Sequence, residues 1–312
     1  MRQLIPIATV LLTLGSASAG PMPSDKAEAI KAMGAVINAP ETGKLYAPLQ
    51  AKEPYENVTV ERNIKYGQHD RNLLDVFRVT TPGARPVLIF VHGGGYERGD
   101  KRGGTSPYYD NLMLWASNNG MLGVNMTYRL APDYSWPAAA DDVASAVAWT
   151  KEKIRDFGGD PNRIFLMGHS AGASHVGSYL ARATVPVVVG GILVSGTYDL
   201  RPQIEVAGQN RPQIEVAGQK SYFGANTELW PERSSIKGLA QSKLPLLVAH
   251  GEIDVPYYID QAETLKAAMC AKNRCPTFVV LKGLSHMSEI YSVNTEDTTL
   301  TDTILAFVKG LK

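Results

Sequence analysis

Apolar runs alternate along this chain with stretches of helical periodicity. Pro86-Val-Leu-Ile-Phe-Val-His92 is a nearly unbroken apolar run, the pattern of a strand covered on both faces. Leu122 to Tyr128, Ile164 to Gly168, Val187 to Val194, Leu244 to His250 and Phe278 to Leu281 follow the same pattern. Val58 to Val60 and Leu73 to Val79 read as edge strands. Between the runs lie helical stretches at Tyr108 to Asn119, Ala138 to Phe157, Ala171 to Ala183, Asp260 to Ala271 and Asp297 to Lys309. Strand–helix alternation of this kind implies right-handed crossovers. It predicts an α/β protein with a mostly parallel central sheet and helices on both faces. In such sheets ligands bind beyond the carboxyl ends of the strands.

The N-terminus has the pattern of a signal peptide over residues 1–19. Arg2 is followed by the apolar run Leu4 to Leu14 and by the small residues Ala17-Ser18-Ala19. The run is too short to span a bilayer. It predicts an exported protein, periplasmic or secreted, with no membrane anchor in the mature form. Ser24 to Ile37 reads as an amphipathic helix with Ala27, Ile30, Met33 and Ile37 on one face and Ser24 as its N-cap. Residues 20–56 read as an N-terminal arm or cap segment, and 57–312 as the main α/β domain. Residues 196–242 form a lid-like insertion within that domain. It contains a tandem repeat: Arg201 to Gln209 recurs unchanged at Arg211 to Gln219. Two copies do not make a solenoid. They read as a duplication in a tolerant loop, so deletion of Arg211 to Lys220 is expected to leave a folded protein.

Composition narrows the classes. The chain has 312 residues, 44% apolar and 20% charged, enough for one large core. Its 31 basic side chains face 30 acidic ones, which gives no reason to expect nucleic acid or an anionic surface as partner. The two cysteines, Cys270 and Cys275, are close enough in sequence to close a short loop. Export favours a disulfide between them, and no further ligands for a zinc site stand nearby.

The chemistry centres on Gly168-His-Ser-Ala-Gly172. An apolar strand leads into this Gly-x-Ser-x-Gly, and a helix start follows it. That is the context of a nucleophile elbow, in which the hydroxyl of Ser170 projects above the sheet. A serine hydroxyl needs a base within hydrogen-bond reach, and the base needs an orienting acid. Three histidines follow Ser170. His175 lies within the helix after the elbow and His250 ends a strand. His286 lies in a loop after the strand Phe278 to Leu281, where a base belongs. Asp254, in the turn after Leu244 to His250, is the acid of choice, with Glu252 and Asp260 as competitors. His92-Gly93-Gly94-Gly95 follows a strand with no Gly-Lys-Ser/Thr and no G-x-G-x-x-G. It therefore reads as an oxyanion turn rather than a phosphate cradle. Gly94, Gly95 and Ala171 are the expected N–H donors.

Together these residues resemble the α/β-hydrolase superfamily, and within it carboxylesterases of the hormone-sensitive-lipase and feruloyl-esterase-like branches. The resemblance rests on His92 to Gly95, Gly99-Asp100-Lys101, Tyr128-Arg-Leu-Ala-Pro132, Trp136-Pro-Ala-Ala139, the elbow and His286. It spans roughly Asn57 to Lys309 and implies an α/β-hydrolase fold with a small cap. It also implies Ser170 as nucleophile, Asp254 as acid, His286 as base, and Arg129 and Asp142 as scaffold. The function so implied is hydrolysis of short-chain or aromatic carboxylic esters through an acyl-enzyme, with no metal or cofactor. The alternatives are an amide hydrolase of the same fold and a non-catalytic binding module. Tyr96, Trp136, Tyr222 and Met287 are candidates to line the pocket, with Phe223, Trp230 and Tyr257 behind them.

Overall fold

The computed structural model describes residues 23–81, 83–104, 106–183, 187–200 and 213–311. The signal-peptide reading and the first repeat copy lie outside these residues. The sheet has eight strands: β1 Val58–Lys65, β2 Leu73–Val79, β3 Arg85–Val91, β4 Leu122–Met126, β5 Gly159–His169, β6 Gly190–Val194, β7 Leu246–Gly251 and β8 Thr277–Leu281. Their order is β1-β2-β4-β3-β5-β6-β7-β8. β1 and β2 pair antiparallel, β2 joins β4 antiparallel, and every later pair is parallel.

Strand periodicity assigns the two cores. Side chains alternate between faces of a strand. On β3, Val87, Ile89 and Val91 enter one core, and Leu88 and Phe90 enter the other. The first core is closed by α4 Ala138–Lys153, α5 Ala171–Arg182, α8 Ile236–Gln241 and α9 Pro256–Cys270. The second is closed by α1 Ser24–Met33, α3 Asp110–Asn118 and α11 Thr299–Gly310. Three further helices, α2 Ala39–Tyr46, α7 Trp230–Arg233 and α10 Ser288–Tyr291, lie in connections at the strand ends. α6 Gln213–Phe223 lies in the connection between β6 and β7. Among the described residues no helix is long and apolar enough to cross a membrane.

Four features differ from the sequence expectation. The helix expected over Ser24 to Ile37 ends at Met33, because Gly34 takes φ 72°. Its N-cap is Pro23, not Ser24. A second helix, α2, follows at once, capped by the Asn38 side chain accepting from the Glu41 N–H at 3.2 Å. Its eight residues include Pro40, Thr42 and Gly43 and are too short for a clear apolar stripe, so no periodicity announced it.

The second repeat copy is also not a loose loop. It forms most of α6, and Gln219 is fully buried, donating to the Tyr257 hydroxyl at 2.8 Å. Cys270, the last residue of α9, is bonded to Cys275 just before β8, with sulfurs 2.05 Å apart.

Candidate active site

β5 runs into Ser170, which stands at φ 56° and ψ −127° before α5 begins at Ala171. A non-glycine residue in the left-handed half of the map is strained and persists only where its surroundings hold it. Those surroundings are specific. The Ser170 N–H donates to the Val194 carbonyl at 3.0 Å. A Cβ on Gly168 would come 2.5 Å from the Gly172 backbone, and one on Gly172 would come 2.1 Å from the Val91 carbonyl oxygen. The two glycines therefore permit the close approach that sharpens the turn. The first N–H groups of α5, beginning with Ala171, lack acceptors within the helix.

His286 reaches the same point from the loop between β8 and α10. Its Nε2 lies 2.9 Å from Ser170 Oγ, and its Nδ1 lies 3.0 Å from Asp254 Oδ1. The ring is stacked on Tyr258, with centroids 4.3 Å apart. The Ile253 N–H donates to the Leu284 carbonyl at 2.9 Å, tying the loop of Asp254 to the loop of His286. Asp254 Oδ1 also accepts from the Val255 N–H at 2.6 Å. Burial alone would raise the Asp254 carboxyl. The His286 ring and the Val255 N–H outweigh that and hold it below the ordinary carboxylate range.

The glycine turn after β3 closes the third side. Gly94 at φ 135° and Gly95 at φ 60° adopt backbone that favours glycine. A Cβ on Gly93 would touch Ser170 Cβ at 3.0 Å. Gly93, Gly94, Gly95, Ser170 and His286 share one cavity of about 200 Å³.

Residues 88–289 match the family described as alpha/beta hydrolase fold. The chain belongs to that family.

Among curated relatives, this chain is 32% identical to "Esterase LipQ" of Mycobacterium tuberculosis over 66% of its own length and 52% of the relative's. It is 30% identical to "Esterase LipC" of the same organism, over 72% of this chain and 59% of that protein. A third relative, "Probable carboxylic ester hydrolase LipM", matches at 36% over 45% of this chain and 32% of its own length. The chain thus spans about a third to three-fifths of these relatives. Among solved structures, esterase B from Lactobacillus rhamnosis superposes with a TM-score of 0.73 at 18% identity, over 92% of this chain and 94% of that one. The esterase of the archaeon Pyrobaculum calidifontis superposes at 0.69 and 18% identity, over 93% and 99%. At such identities these structures speak for the fold.

The cavity has a lining that sequence reasoning named only in part. Met287 lines it, together with Ile37 and Ala39 from the N-terminal arm and Tyr109 and Tyr291. Tyr96, Tyr222 and Trp136 are placed elsewhere. Tyr96 and Tyr222 stack with centroids 5.3 Å apart in the core beside α5, and the Tyr96 hydroxyl donates to Ser174 Oγ at 3.0 Å. Trp136 Nε1 donates to Ser178 Oγ at 3.2 Å, further along the same helix. Phe223 and Trp230 belong to the same core, and Tyr257 is buried against Gln219.

The remaining candidates fall outside the cavity. His175 is buried against Tyr222, and burial with the nearby His92 holds its ring down to about 3. His250 Nδ1 faces its neighbour's carbonyl, Gly251 O, at 2.8 Å. Glu252 pairs with Lys282 at the surface at 2.8 Å. Arg129 and Asp142 form a paired brace, Nε 3.0 Å from the carboxylate. Sequence reasoning overlooked His169, Ser195 and Glu289. His169 Nε2 lies 2.8 Å from the His286 carbonyl, so the residue before the serine anchors the loop of the imidazole. The only sequence signal for Glu289 is an acid embedded in the apolar stretch Met287 to Val293.

Proposed function

We propose that this protein is a serine carboxylesterase acting on short-chain or small aromatic esters. The observation that carries the reading is the alignment of Ser170 Oγ, His286 and Asp254 in one hydrogen-bonded chain, with contacts of 2.9 and 3.0 Å. Ser170 attacks the ester carbonyl carbon while His286 Nε2 takes the hydroxyl proton. Asp254 accepts from Nδ1–H and so fixes the tautomer that leaves Nε2 free to act. It also opposes the positive charge that forms on the ring.

The negative charge that develops on the carbonyl oxygen meets the N–H groups of Gly94, Gly95 and Ala171. Preorganised donors of this kind act where charge develops and require no rearrangement during the step. His286 then gives its proton to the departing alkoxide, and the alcohol leaves. Water, deprotonated by the same imidazole, attacks the acyl-enzyme and returns Ser170 to its hydroxyl form.

The size of the cavity supports the substrate class. Sites for drug-sized ligands run from roughly 300 to 1,000 Å³. A volume of about 200 Å³ suits a small acyl or aryl group rather than a long chain. The names of the relatives LipQ and LipC support ester hydrolysis. The Cys270–Cys275 disulfide supports an exported protein, since such bonds persist in oxidising compartments. The test is hydrolysis of p-nitrophenyl acetate by purified Ser170→Ala. The variant is expected to fold as the parent does and to turn over at background. Turnover at the parental rate would overturn the assignment.

A further inference from the structure

A second carboxyl lies buried behind the Asp254–His286 pair. Glu289, on α10, is fully buried. Its Oε1 accepts from the Gly251 N–H at 2.5 Å, and Ser195 Oγ lies 2.9 and 2.8 Å from its two oxygens. The groups around it come from every neighbouring element. Asp254 faces it from the turn after β7, His169 from the end of β5, and Tyr198 from the connection after β6. His286 belongs to its own loop.

Among the described residues no lysine or arginine pairs with it. Its basic neighbour is His169, whose Nε2 stands 3.6 Å from Oε2. Burial and the nearby His286 ring hold His169 down to about 3, so it is neutral and its N–H serves the His286 carbonyl. An ionised Glu289 would therefore be a second buried anion beside Asp254 with no cation of its own.

Asp254 presents the complementary gap. Its Oδ1 takes the His286 ring and the Val255 N–H, whereas its Oδ2 is buried with no hydrogen-bond donor. The Ser195 hydroxyl has one proton and two carboxyls around it. A buried carboxylate oxygen left without a donor is costly. Both problems are solved by one proton.

We propose that Glu289 is a positioning residue that keeps its carboxyl proton and donates it to Oδ2 of Asp254. Its two oxygens then accept from Gly251 and Ser195, each of the four carboxyl oxygens of the pair has a partner, and the pair carries one negative charge instead of two. Burial and the adjacent Asp254 charge push the Glu289 carboxyl well above its usual range, as this arrangement requires. Glu289 does not touch substrate. It holds Asp254 rigid and ionised, and Asp254 in turn orients the imidazole. The kinetic part of this inference rests on the esterase reading; the protonation of Glu289 does not.

Two variants and one spectroscopic measurement test it. Infrared difference spectra of the purified protein at pH 7, parent minus Glu289→Gln, should contain the carbonyl band of a protonated carboxylic acid. In Glu289→Gln the amide can donate to Oδ2 and still accept from Gly251 and Ser195. It should keep kcat within about threefold of the parent, with the acid limb of the pH–kcat/KM profile in place. Glu289→Met removes donor and acceptors together, and kcat should fall about tenfold or more while KM holds, a loss that glutamine restores. A missing band, or an acid limb displaced in Glu289→Gln, means that Glu289 is ionised and overturns the proposal. So does a Glu289→Met enzyme with lowered Tm and full kcat. If Glu289→Met does not fold, the band and the Glu289→Gln profile decide. A band found in a protein whose Ser170→Ala variant still hydrolyses esters would remove the esterase reading and leave the protonated Glu289 standing.

Discussion

Gly218 packs directly on Gly95: a Cβ at position 218 would stand 2.1 Å from the Gly95 carbonyl oxygen. The helix grown from the second repeat copy is therefore seated against the glycine turn that faces Ser170.

Gly218→Ala should for this reason damage activity. Alanine in place of glycine within a helix ordinarily stabilises by about 1 kcal/mol. Here the new methyl meets backbone, which cannot swing aside, so the turn or α6 must move. Loss of one oxyanion donor costs about 2.7–4 kcal/mol of barrier in comparable sites. A partial displacement of Gly94 and Gly95 is expected to lower kcat by about tenfold or more with a smaller change in KM. Steady-state kinetics on p-nitrophenyl acetate checks this. A variant with parental kcat and a raised Tm would show that the contact is slack.

Removal of residues 201–210 should have little effect by comparison. The segment Arg211 to Gln219 repeats Arg201 to Gln209 residue for residue, so one full copy remains to form α6. Shortening the β6–β7 connection by ten residues changes the closure entropy by less than the roughly 0.6 kcal/mol of a full halving. Thermal unfolding and kcat of the deletion protein are expected to match the parent closely. Loss of folding would show that the first copy is structural.

Acid should destabilise the fold through its buried histidines. Burial holds His92 down to about 4, and His169 and His175 to about 3, against 6.5 in an open chain. All three are neutral in the folded protein. As pH falls below 6.5 the unfolded chain takes up protons that the folded one refuses. Their contribution is thus whole above pH 6.5 and is lost progressively down to pH 3–4. Glu289 has the opposite sign, since its raised carboxyl favours the fold below its ordinary range near 4.5 and weakens it as pH rises. Near pH 5 the three histidines dominate, at about 2 kcal/mol each. Urea midpoints should fall between pH 7 and 5, and His175→Phe should fall less by about that amount. An equal drop in both proteins would contradict the assignment.

Ile37 offers a test of substrate size. It reaches the cavity from the N-terminal arm, between α1 and α2. Ile37→Trp should fill part of the roughly 200 Å³ and penalise long acyl groups more than acetate. The measurement is kcat/KM across p-nitrophenyl esters from acetate to octanoate. A profile parallel to the parent's would place the acyl group elsewhere.

The sequence disclosed what local pattern encodes. Continuous apolar runs located the central strands, and Gly-x-Ser-x-Gly between a strand and a helix located Ser170. The meeting of His286 and Asp254 at Ser170 was legible because chain order and strand ends constrain which loops can come together there. Glu289, Ser195 and His169 were not, since their role arises only when the ends of β5, β6 and β7 and the start of α10 meet in space. The aromatic candidates failed for a related reason. Tyr96, Tyr222 and Trp136 are large and amphipathic, and composition alone does not say whether such rings line a cavity or a core. The short α2 was hidden by its proline and glycine, so the arm's share of the cavity went unseen.

The central claim is that Ser170 forms the covalent acyl-enzyme. Its most direct test is reaction with an alkyl p-nitrophenyl phosphonate, followed by peptide mass spectrometry and residual turnover. The account predicts one adduct per chain, carried by the peptide containing Ser170, with activity lost in proportion to labelling and no adduct in Ser170→Ala. An adduct on another residue, or full turnover after Ser170 is blocked, would contradict it.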